Sequence, residues 1–129
     1  VALNFKTGEF QSPSDTQLVQ VTGLGFQPKL VLFFAPYYGD EVDYAGQSYM
    51  FGMANGVANR CVGFDENGTG VAGNTNRAVT WQNNTNCIYY VGNATTPLLQ
   101  LSGNLESFDI DGFTINFTLS NTLLWAVLI

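Results

Sequence analysis

The sequence predicts an all-β protein, an antiparallel β-sandwich of jelly-roll-like type. Three observations carry that expectation. Short runs rich in Val, Ile, Phe, Tyr and Thr recur along the 129 residues, separated by clusters of Gly, Pro, Asn and Asp. No window keeps apolar residues at i, i+3, i+4 and i+7 for three helical turns. The run "FTINFTL" alternates Phe113, Ile115, Phe117 and Leu119 with Thr114, Asn116 and Thr118, which is the period of a strand with one face in a core.

Taken in order, the runs predict strands near 2–6, 17–22, 29–35, 48–54, 57–64, 77–81, 87–91, 97–102, 105–109, 112–118 and 123–129. Pro28 closes the glycine-spaced stretch "GLGFQP" and opens the apolar run "LVLFFA". That run and "LLWAVLI" at 123–129 do not alternate, so both are expected to be covered on two faces, in the middle of the sandwich or beneath a neighbouring subunit. Asp65-Glu66-Asn67-Gly68-Thr69-Gly70 reads as a tight reverse turn, because Asn-Gly readily takes positive φ angles. Asp111-Gly112 lies between "LESFDI" and "FTINFTL" and marks a second hairpin. With no internal repeat and no linker, the chain is expected to be one domain, 1–129.

Composition narrows the function. Charged residues make up 11% of the chain, against about 25% in an average globular domain, while 46% is apolar. A surface so poor in charge is built from Asn, Thr, Ser, Gln and Gly or is hidden against a partner, and the apolar excess favours an oligomer. The four basic residues, Lys6, Lys29, Arg60 and Arg77, are scattered in a chain of net charge −6, so nucleic acid is not an expected partner. No apolar run reaches the length of a membrane helix, and no signal-peptide pattern is present.

Catalytic chemistry finds little to work with. There is no His, hence no Ser-His-Asp or Cys-His system. Cys61 and Cys87 cannot make a tetrahedral zinc site alone and read first as buried small hydrophobes, with a disulfide as the alternative. Asp109 and Asp111 could form a carboxylate pair, but Asp-x-Asp-Gly before a strand is ordinary turn chemistry. "DIDG" and "DENG" resemble fragments of a calcium loop without its full spacing. Asp40, Glu41 and Asp43 in the loop "PYYGDEVDYAGQ" are the first place to look for calcium or a ligand. "GLGFQP" lacks the third Gly and the helix of a dinucleotide site, and no cofactor is expected. Tyr37, Tyr38, Tyr44 and Tyr49 cluster about the acidic loop, a composition that suits either a sugar site or a protein interface. Trp81 and Trp125 lie in strands and read as core or interface, and Leu124 with Trp125 joins the tyrosines as interface candidates.

Four segments, in order, carry a family resemblance: "TGEFQSPSDTQLVQVTGLGFQPKLVLFF", "SYMFGMANGVANRCVGFDENGTG", "FDIDGFTINFT" and the closing "LLWAVLI". Together they resemble small β-domain structural proteins in the virions of tailed bacteriophages. The match covers most of the chain and is weakest over 72–104. The resemblance implies a capsid decoration (cement) protein, non-enzymatic, that binds the assembled shell and stabilises it; it further implies a homo-oligomer of trimeric type that binds the major capsid protein on the virion surface after assembly in the host cytoplasm. The alternative within the same resemblance is a carbohydrate- or receptor-binding module of a tail fibre, with the Tyr and acid loop as its site.

Overall fold

A computed structural model describes residues 3–36, 47–67, 77–92, 98–120 and 125–128, the last four and several strand ends by backbone alone. The strands are β1 (Gly8–Gln11), β2 (Leu18–Val21), β3 (Val31–Pro36), β4 (Gln47–Ala54), β5 (Asn59–Asn67), β6 (Arg77–Asn83), β7 (Ile88–Gly92), β8 (Leu98–Asp109), β9 (Gly112–Ser120) and β10 (Trp125–Leu128). They form a larger sheet, β1-β10-β3-β4-β5-β6, and a smaller one, β2-β9-β8-β7. β1 pairs with β10 and β2 with β9, while β3, β4, β5 and β6 follow one another as a meander, all antiparallel. The fold is the expected β-sandwich.

The core is made by alternation. Val31, Phe33 and Ala35 from β3 face Phe113, Ile115 and Phe117 from β9, all buried. Phe10 of β1 joins them, and its ring meets Phe33 and Phe113 edge-on at centroid distances of 6.3 and 6.4 Å, while Phe33 meets Phe113 at 6.0 Å. Edge-to-face rings place positive ring edges against negative faces, contributing about 0.5–1.5 kcal/mol per pair beyond area burial.

At the other side of the sandwich, β7 comes so close to the larger sheet that side chains are excluded. A Cβ on Gly52 would lie 1.7 Å from the carbonyl oxygen of Cys87. Next to it, the Trp81 indole covers Gly63, donates Nε1–H to the Tyr89 carbonyl at 2.7 Å and sets its ring edge-on to Tyr90. The Tyr90 hydroxyl in turn donates to the buried Asp65 carboxylate at 3.1 Å.

The stretch "GLGF" belongs to the crossover that carries the chain from β2, in the smaller sheet, to β3, in the larger. Gly23 and Gly25 have φ of 83° and 80°, a region costly to residues with a Cβ. Their two N–H groups donate to the Asp111 carboxylate, that of Gly23 at 3.0 Å, and Leu24 N–H donates to the Asp111 carbonyl at 3.1 Å. Gln27 Nε2 donates to the Phe108 carbonyl at 2.9 Å. The glycine-spaced loop thus wraps an anion supplied by the chain itself, the turn residue of the β8–β9 hairpin. Asp111 is in that two-residue turn, since Asp109 pairs with Gly112.

Several expectations need correction. Residues 3–7 are not a strand: the Lys6 ammonium reaches the Gly23 carbonyl, and the pairing with β10 is taken by 8–11 instead. Asp65, Glu66 and Asn67 are not a turn but the end of β5, paired with Val79, Ala78 and Arg77, while Gly68, Thr69 and Gly70 lie outside the described residues. The runs 97–102 and 105–109 are one strand, β8, which absorbs its irregularities as register shifts after Ser102 and around Glu106. "LVLFFA" is not covered on both faces by the sandwich: Val31, Phe33 and Ala35 are buried, whereas Phe34 faces outward and is 42% exposed. Lack of alternation there reflects a second apolar face, not a central layer.

Replacing Gly52 by Ala forces the β7 backbone away from the larger sheet, with an expected loss of about 3 kcal/mol, read as a lower chemical denaturation midpoint. Asp111→Ala removes a charged acceptor from two backbone donors, with an expected loss of about 1–3 kcal/mol. Faster hydrogen exchange confined to the amides of Gly23 and Gly25 distinguishes that loss from general destabilisation.

Candidate interaction surface

The outer face of the larger sheet follows from the register. Phe34 on β3 lies opposite Phe51 on β4, which lies opposite Val62 on β5; Leu32 lies opposite Met53, and Tyr49 opposite Phe64. Because the neighbours of these positions, Phe33, Met50 and Cys61 among them, point into the core, this set points out. Phe34, Phe51, Tyr49 and Val62 are 42, 41, 46 and 49% exposed, and the Tyr49 ring stacks on Phe64 at 5.7 Å. An antiparallel sheet that faces water on one side normally carries polar residues there. Here three adjacent strands carry seven apolar side chains, with Arg60 at their margin.

The two ends of the sandwich differ. One end carries the crossover, the turn 55–58 and the turn Ile110-Asp111, with Val57 and Ile110 almost fully exposed at the tips. Gly56 lies against the Phe108 ring, which brings two of these turns together. A cleft of about 60 Å³ opens beside them between residues 4–6 and 24–31, well below the roughly 300 Å³ at which small-molecule pockets begin. At the opposite end β5 and β6 finish their pairing at Asn67 and Arg77, and β7 and β8 at Gly92 and Leu98.

Of the residues singled out in the sequence, Tyr49 is on the apolar outer face, as an exposed member of a ring pair. Tyr37, Tyr38, Tyr44, Asp40, Glu41, Asp43 and Leu124 lie outside the described residues. Trp125 is described by backbone alone, on β10 opposite Gln11. Trp81 is half-buried inside the sandwich. The outer-face residues Phe34, Phe51, Val62 and Phe64 were missed as a set, although Tyr49, Phe51 and Met53 on one phase of β4, beside Met50 and Ala54 on the other, were the available signal.

The carboxylates that looked catalytic hold structure. Asp109 accepts from the Ser107 hydroxyl at 2.7 Å, the Thr114 hydroxyl at 2.8 Å and Gln20 Nε2 at 3.3 Å. Those bonds, that of Ser107 first, hold its carboxyl below the usual range. Asp111 holds the crossover. Among the described residues no three acidic, Cys or His groups come together as a metal site, and no helix is long and apolar enough to cross a membrane.

Cys61 and Cys87 are free and buried. Desolvation pushes each thiol up to about 12, outweighing the hydrogen bonds that Cys61 makes near Tyr89 and Trp81. In comparisons with known proteins, the chain matches no family model, no curated protein and no solved structure. The class that fold and surface define is therefore an antiparallel β-sandwich with an apolar outer face.

Both thiols are expected to resist alkylation at pH 8 in the folded protein and to react fully in denaturant. Their raised folded values contribute stability that is complete below the unfolded thiol range and is lost as pH rises from about 9 toward 12. A Cys61→Ala, Cys87→Ala chain compared with the parent in an alkaline denaturation series should show a shallower decline above pH 9.

Proposed function

We propose that this chain is a non-enzymatic virion structural protein, a capsid decoration protein that binds an assembled shell and stabilises it. The carrying observation is the outer face of the larger sheet, an apolar surface of strand-paired Phe, Tyr, Met, Val and Leu that assembly would cover. The resemblance in the four sequence segments supplies the setting. In this reading the apolar face joins subunits, and the Tyr-rich run 37–49 with the Asn-rich runs 66–76 and 82–86 meets the major capsid protein. A protein that binds the shell and not its free subunits stabilises by mass action, and needs broad contact in place of a reactive pocket.

A second reading, a carbohydrate- or receptor-binding tail-fibre module, is favoured by the exposed Tyr49–Phe64 ring pair, a platform of the kind that stacks on a sugar. Mixing the chain with undecorated heads of the phage that encodes it separates the two. Saturable co-sedimentation and a higher shell melting temperature are expected. Failure to bind heads, together with binding to host-cell glycans that Tyr49→Ala abolishes, would transfer the assignment to the second reading.

A further inference from the structure

We propose that a second copy of this chain covers the outer face of the larger sheet, in a two-fold, face-to-face pair; this rests on the assembly reading above.

The placement of charge is the first argument. The register runs Glu9, Val127, Phe34, Phe51, Val62 across β1, β10, β3, β4 and β5. Glu9 is therefore two strands to one side of Phe34. Val62 is two strands to the other side, and Arg60 occupies the next outward position along β5, opposite Met53. Both charged side chains are exposed. Within one copy they are four strands apart, about 19 Å, too far to pair. A two-fold axis lying along β3 above Phe34 exchanges the two sides. It sets Phe34 against its own equivalent, β4 over the partner's β10, and β5 over the partner's β1. Arg60 of each copy then meets Glu9 of the other. Arg60 Nη1 donates to the Asn59 and Asn84 carbonyls at 2.7 Å each, which leaves Nη2 and Nε for Glu9 of the other copy. The remaining offset along the strand is one residue pair, about 7 Å, to be closed by the roughly 30° crossing of aligned sheets. A single surface thus carries both halves of a charge pair in the arrangement that self-association requires.

Composition agrees, and the size is that of a small interface. The five strands that overlap span about 19 Å and the eight residues of β4 about 25 Å, a projected area of roughly 480 Å² against the approximately 800 Å² that each partner contributes to a standard interface. Aromatic and Met side chains fill the centre and charge stands at the margin, as in protein interfaces generally. The closure number is two, where the family resemblance implies three.

The test is sedimentation velocity and light scattering on the full chain across a concentration series. The expected mass is twice 14.0 kDa. Phe51→Glu should give a monomer with an unchanged far-ultraviolet spectrum. Glu9→Arg and Arg60→Glu should each raise the dissociation constant about tenfold, and the double exchange should restore it. A monomer at every concentration, a trimer, a dimer indifferent to Phe51→Glu, or a double exchange no better than the singles would each overturn the pairing. Head binding by a chain that stays monomeric would overturn the pairing and leave the decoration reading standing. A dimer that binds no heads would sustain the pairing and remove the decoration reading.

Discussion

The contact on which both sheets depend is the edge-to-face packing of Phe10 and Phe33 from the larger sheet against Phe113 from the smaller. Each sheet twists, and two twisted surfaces touch closely only where large side chains fill the space between them. Phe113 sits at the start of β9, immediately after the β8–β9 turn, so its position is tied to that turn. The turn is tied in its own way, through Asp111 to the crossover and through Phe108 to Gln27. The crossover delivers β3, and with it Phe33. Ring packing and backbone anchoring are thus one closed circuit of contacts. A truncation of Phe113 would remove a buried ring, at a cost of about 3–5 kcal/mol, and would loosen the turn that holds the crossover.

How much of this was legible depended on the range of the interaction. "FTINFTL" showed its inward face plainly, because alternation is a local pattern and its partner surface does not alter the period. The β8–β9 hairpin was equally local. By contrast, Asn67-Gly68 satisfied turn chemistry yet Asn67 pairs as a strand, since the pairing of β5 with β6 runs as far as Asn67 opposite Arg77. "GLGF" read as a failed nucleotide motif, because the anion it wraps lies 86 residues or more further along the chain. The pair of strand runs around Gly103 were split by a glycine that merely leaves room for Ile115 and Phe117. No local rule could announce these distant partners.

The candidate surface shows a related ambiguity. An unbroken apolar run predicts burial on two faces, and such burial can come from the same fold or from another molecule. "LVLFFA" satisfied the pattern while only one of its faces is served by the sandwich. The interior cannot account for Phe34, Phe51, Tyr49 and Val62 together, and among the described side chains of that face charge stands only at Glu9 and Arg60, on its flanks. The acidic residues near the turns illustrate the opposite case. Asp109 and Asp111 resembled catalytic carboxylates in spacing, but their oxygens are engaged by hydroxyl, amide and backbone donors.

The pairing of β1 with β10 has a kinetic side. Gly8 meets Leu128 and Gln11 meets Trp125, partners more than a hundred residues apart in sequence, and β2 meets β9 across a comparable distance. Closing such loops costs chain entropy before any contact compensates for it, so sheets ordered this way form slowly. The local hairpins β3–β4–β5 and β8–β9 can assemble far sooner. A β3–β4–β5 meander formed ahead of those long-range pairings would in the interval have both surfaces apolar and the edge of β3 unpaired. That interval, more than the finished molecule, is when crowded copies are exposed to mispairing, and rapid capture of the outward surface by its proper cover would shorten it.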